Sequence, residues 1–97
     1  MKNQIIDTWY YVVVQNPGIF NEHFLGYTNQ ETETTFIPVF KTKEIAQQCF
    51  LIMPKDIMNE KYEIQAILKD DIIDQTQNTD YEILLLDEKG SILKKIA

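Results

Sequence analysis

The chain holds one serine, one histidine and one cysteine: Ser91, His23 and Cys49. Nucleophilic catalysis needs an activated nucleophile, a base beside it and a group that orients the base. Ser91 follows Gly90 in a stretch that reads as a hairpin turn, without the strand-to-helix elbow that lifts a catalytic serine out of a sheet. Cys49 falls on the apolar stripe of a helix, between Ile45 and Phe50. A thiol there behaves as a small hydrophobe with a raised pKa. His23 stands beside Glu22 in a loop and reads as a solvated surface group. The three residue types therefore point to scaffold and surface roles, not to a triad.

Metal chemistry is constrained in the same way. One His and one Cys cannot make a structural zinc site. Asp70, Asp71 and Asp74 leave an oxygen site open, with 70 and 74 on one helical face. Three such acids would hold magnesium or calcium weakly. The spacing is not that of a calcium-binding loop, and acids in a first helical turn serve the helix dipole. Gly18, Gly26 and Gly90 are far apart, so no glycine-rich loop cradles a phosphate. None of the 15 acids forms a pair that reads as sheltered for acid–base work. The expectation is a non-enzyme with no catalytic residue, no cofactor site and no metal site.

Charge sets the next bound. The 97 residues carry a formal net charge of −6, and all 9 basic residues are lysine. Without arginine, the usual bidentate reader of phosphate and guanine, an acidic chain is not expected to bind nucleic acid. Between Asp56 and Glu88 the balance is −8, with only Lys61 and Lys69 opposing ten acids. That stretch reads as a solubilising surface, with a face for a basic partner as the functional alternative. The single cysteine rules out an internal disulfide and fits a reducing compartment. The start, Met1 to Asp7, lacks the apolar core of a signal peptide, and no run of 18 apolar residues occurs. A soluble cytoplasmic protein with no membrane association is expected.

The elements that would position these residues follow from periodicity. Thr8 to Val14 is aromatic and β-branched throughout, which predicts a central strand buried on both faces. Asn16-Pro17-Gly18 ends it. His23–Thr28 and Thr34–Lys41 read as a hairpin whose second strand carries Pro38, a residue favouring an edge or a bulge. Ile45, Ala46, Cys49, Phe50 and Met53 share one face of a helix over 43–53, capped by Thr42 and stopped by Pro54. Residues 55–60 form the return connection. Tyr62–Leu68 alternates as a strand. Asp70 or Asp71 caps a short second helix, and Tyr81–Leu86 and Ser91–Ile96 close a hairpin through Asp87-Glu88-Lys89-Gly90. The result is a single α+β domain over 1–97. Its mixed, mainly antiparallel sheet has about five to six strands, with two helices packed on one face. One parallel pair is expected across the first helix.

The run Trp9-Tyr10-Tyr11 is explained mostly by a two-sided core, with a partner-anchoring aromatic as the alternative, extended by Phe20, Phe24 and Tyr27. The segment Phe36 to Ala46 resembles the N-terminal SseB domain family through Pro38, Phe40, Thr42, Glu44 and Ala46: a Pro-x-Phe strand end, then Thr, an acid and Ala at a helix start. That resemblance implies a small bacterial α+β unit with an accessory role and brings no catalytic motif. The functional expectation is a protein–protein interaction module, with a homodimer formed by pairing sheet edges. The alternatives are a small-ligand or weak divalent-ion binder, and an acidic inhibitor or immunity-type protein.

Overall fold

The structure, a computed structural model, describes residues 8–18, 20, 22–29, 31–52 and 61–97. The Pro54 helix stop, the 55–60 return and the reading of residues 1–7 lie outside the described residues.

Among the described residues, seven strands and two helices form in the order β1 (Trp9–Gln15), β2 (His23–Phe24), β3 (Tyr27–Asn29), β4 (Thr34–Phe40), α1 (Lys43–Ile52), β5 (Tyr62–Leu68), α2 (Lys69–Thr76), β6 (Glu82–Leu86) and β7 (Ile92–Lys95). All seven strands belong to one sheet. β1 lies inside it, paired along its whole length with β5, Trp9 opposite Leu68 and Gln15 opposite Tyr62. Its other edge meets β4, and beyond β4 come β6 and then β7. All pairings are antiparallel except β4 with β6. The fold is thus α+β with a mixed, mostly antiparallel sheet, as expected, but with seven strands rather than five or six. The strands flanking the first helix, β4 and β5, run in the same direction but lie on either side of β1, so the expected parallel pair does not form between them; β4 pairs instead with β6, which follows it in the chain only after α1, β5 and α2.

The helices do not share a face. Strand side chains alternate between faces. Tyr10, Val12 and Val14 of β1, Ile37 and Val39 of β4, and Ile83 and Leu85 of β6 pack with Ile72 of α2. The intervening positions, Phe40, Leu84 and Leu86 with Tyr11 and Ile64 beside them, pack with Ala46 and Cys49 of α1. The cause is topological. β4, β5 and β6 run in one direction, since β4 and β5 are both antiparallel to β1 and β6 is parallel to β4. The chain crosses the sheet one way from β4 to β5 and back the other way from β5 to β6. Crossovers of one hand travelling in opposite directions must lie on opposite faces.

A fork interrupts the sheet. β1 and β4 pair only at Tyr11–Phe40 and Val12–Val39. Past that point β1 takes β2 as partner, Val14 opposite Phe24, while β4 takes β3, Phe36 opposite Tyr27. The segment β2–β3 therefore runs into the fork along β1 and out again along β4. It turns at Leu25-Gly26, where the buried Leu25 donates its N–H to the Val13 carbonyl at 2.8 Å. Pro38 is buried within β4, not at a sheet edge. It sits at the gap between the β1-paired and β3-paired stretches, where a missing ladder donor costs least.

Local chemistry fixes the ends. Thr42 Oγ1 accepts from Ile45 N at 3.1 Å, the expected N-cap of α1. Asp87 Oδ1 accepts from Lys89 N and Ser91 N, both at 2.9 Å, and Gly90 takes φ 85, so the β6–β7 turn closes as the sequence suggests. α2 differs from expectation. It begins at Lys69 with Leu68 at the cap position and no side-chain cap, so Asp70 and Asp71 occupy the first turn and complement the dipole instead.

Candidate functional site

Cys49 lies against the β6–β7 turn that carries Ser91, its Sγ 3.8 Å from where a Cβ on Gly90 would sit, while His23 lines a depression that neither of them lines. Cys49 is fully buried on α1 among Phe40, Leu84 and Leu86. Burial raises its thiol pKa, and the nearby Asp87 carboxylate adds to the rise. Its environment is the expected hydrophobic one, and its neutral thiol form is favoured. Ser91 is exposed in the β6–β7 turn. Tyr27, its ring tilted 38° against Phe36 with centroids 6.2 Å apart, has its pKa pushed up to about 12, first by burial and then by Tyr62 and Cys49. Both shifts hold protons on, which suits packing rather than acid–base exchange at neutral pH. Asp70, Asp71 and Asp74 are exposed along α2, and among the described residues no group of three His, Cys, Asp or Glu side chains is placed to hold a metal ion.

His23 is exposed, as the sequence suggested, but it also lines an open depression of about 670 Å3 on the α2 face. The fork makes this depression. β2, β3 and the residue before them supply one wall with Glu22, His23 and Thr28, while Gln75 and Thr76 at the end of α2 and Thr79 just beyond it supply the other. The half-buried Phe24 contributes apolar surface between them, with the buried Ile37 beneath. A second depression of about 480 Å3 shares Thr35, Thr79 and Tyr81 with the first and adds Glu33 and Asp80. A smaller one of about 100 Å3 shares Glu22, His23 and Gln75 and adds Gln65 and Ile67. Together they form a groove beside α2. Glu22 is partly engaged, its Oε2 accepting from Gly18 N at 3.0 Å.

The surface carries large apolar side chains elsewhere. Trp9 is 52% exposed, so the first residue of the aromatic run is not core; Tyr10 is buried and Tyr11 half-buried. Trp9 opens β1 while Phe24 pairs near its far end, so the patch proposed to join them does not form; Phe24 packs into the core and Tyr27 on Phe36. β7 ends the sheet with Ile92 56% and Leu93 57% exposed, beside a β6 in which Ile83 to Leu86 are all buried. The sequence marked β7 only as a strand. Its place at the sheet's end follows from the parallel β4–β6 pairing, which no local pattern announces.

No helix among the described residues is long and apolar enough to cross a membrane. Comparison with protein-family models, with curated proteins and with solved structures finds no match to this chain.

Proposed function

We propose that this domain is a non-enzymatic interaction module of the bacterial cytoplasm, recognising protein partners through its surface, with a second copy of itself as one partner. The observation that supports this most is the β7 edge. Among the described residues no strand pairs with the outer edge of β7, which leaves a row of backbone N–H and C=O groups open, with the exposed Ile92 and Leu93 beside it. The resemblance of Pro38 to Ala46 to the N-terminal SseB domains points to the same accessory role.

Against β6 the register of β7 skips Leu93, an irregularity that self-pairing of β7 has to accommodate. An antiparallel β7–β7 ladder centred on Leu93 sets Leu93 against its symmetry mate and Lys94 against Ile92, so no lysine faces a lysine. Lys95 is already engaged with Glu82 at 3.3 Å. Four strand residues bury far less than the roughly 1,200 Å2 of a stable interface, so the dimer is weak. Two copies each carrying −6 repel, so added salt strengthens it.

Light scattering tests this. The expected result is a mass rising from monomer towards dimer as protein concentration approaches about 1 mM. The rise is steeper at high salt and abolished by Leu93→Lys, which sets two lysines in direct opposition. A monomer under all these conditions rejects self-association through β7.

A further inference from the structure

We propose that the groove beside α2 is a second, separate docking site, and that its occupant is an extended lysine- or arginine-rich segment of a protein partner. Three features on this face converge on that chemistry. First, the depressions join in series past the C-terminal end of α2, the smallest meeting the first at Glu22, His23 and Gln75 and the first meeting the second at Thr35, Thr79 and Tyr81, which suits an extended chain better than a compact ligand. Second, its charged lining residues are Glu22, Glu33 and Asp80, with His23 beside Glu22, and no described lysine lines any of the three depressions. Glu33 and Asp80 are exposed and have no ion-pair partner among the described residues. Third, the C-terminal end of α2 opens onto the groove, and its last turn contains no basic residue to offset the partial negative charge of the helix end. The groove thus carries acidic charge that a cationic guest would neutralise, while a phosphate or carboxylate would be repelled.

The threonines and glutamines add the second half of the recognition. Thr28 and Thr35 hydrogen-bond each other at 3.0 Å, which leaves each hydroxyl able to make one further bond to a peptide group. Phe24 and Ile67, both only partly buried, provide apolar surface on which the methylene stems of lysine or arginine can lie. This site shares no residue with the β7 edge, so it stands or falls independently of self-association.

The test uses the full chain and its single histidine as a reporter. Octa-lysine is titrated into the protein at low and high salt while the His23 ring proton signals are followed by NMR. The expected result is a saturable shift of those signals at low salt that fades at high salt. Affinity falls at least tenfold in Glu33→Lys/Asp80→Lys and less than twofold in Glu44→Lys/Glu88→Lys, which changes net charge equally on other surfaces. The neutral pair Glu33→Gln/Asp80→Asn falls in between, and circular dichroism checks the fold of each variant. Leu93→Lys binds octa-lysine like the parent. Four results overturn the proposal: no binding, binding that leaves His23 unmoved, equal losses in both charge-reversal pairs, or a shift of His23 by a neutral oligosaccharide but not by octa-lysine.

Discussion

Replacing Phe40 with alanine is expected to remove about 3–5 kcal/mol of folding stability. Phe40 is fully buried at the end of β4 and joins Leu84 and Leu86 of β6 to Ala46 and Cys49 of α1. It also sits at one of the two positions where β1 and β4 pair, opposite Tyr11. Truncation therefore opens a cavity under α1 and loosens the junction from which the fork diverges. A domain of this size holds only about 5–15 kcal/mol in total, so the variant is left near the unfolding threshold. With a urea slope of about 1–3 kcal/mol/M, the denaturation midpoint drops by at least about 1 M. Phe40→Leu, which keeps most of the volume, costs less than about 1.5 kcal/mol by the same measurement. A loss under about 1 kcal/mol for Phe40→Ala would show that α1 does not pack on this face.

Leu25→Ala has the second large effect, and its character differs. Leu25 is the buried pin at the vertex where β2 enters the fork and β3 leaves it. A leucine-to-alanine change in such a site costs about 2–5 kcal/mol. The strands on either side are only two and three residues long, so the loss is felt first as local opening of this segment. Native-state hydrogen exchange is expected to accelerate across 23–29, while the β1–β5 amides, paired over seven residues, stay protected. Octa-lysine affinity falls with it, since Glu22, His23 and Thr28 line the groove from this segment. Uniform acceleration across the sheet would mean instead that the fork segment and the sheet unfold as one cooperative unit.

What the sequence disclosed depended on range. Thr42 as the α1 cap, Gly90 in its left-handed turn and the two-faced burial of β1 are local matters, decided by side chains within a few positions of one another. The placement of the helices on opposite faces is not local. It follows from β5 joining the sheet beyond β1 and β6 joining it beyond β4, an order that periodicity cannot express. Pro38 signalled a break in pairing, but whether that break is a sheet edge or a fork depends on where β2 and β3 lie. Trp9 looked like core because strand propensity and burial favour the same residue types, yet the first residue of a strand can project past the layer that covers its neighbours. The groove was illegible for the same reason. Its walls come from residues 22–35 and 75–81, and no spacing rule links them. The acidity of residues 56–88 gave little guidance either, since only Asp80 of the groove's acids falls in that stretch and Glu22 and Glu33 lie outside it.

Edge recognition by β7 is the claim on which the proposed function rests, and backbone hydrogen exchange reads it at the atoms concerned. Amides of Ile92–Lys95 that point away from β6 should exchange rapidly in dilute protein and become protected as concentration and salt rise, with no such change in Leu93→Lys. Rapid exchange of those amides at every concentration and salt, or protection already complete in the dilute monomer, would contradict an open edge that waits for a partner strand.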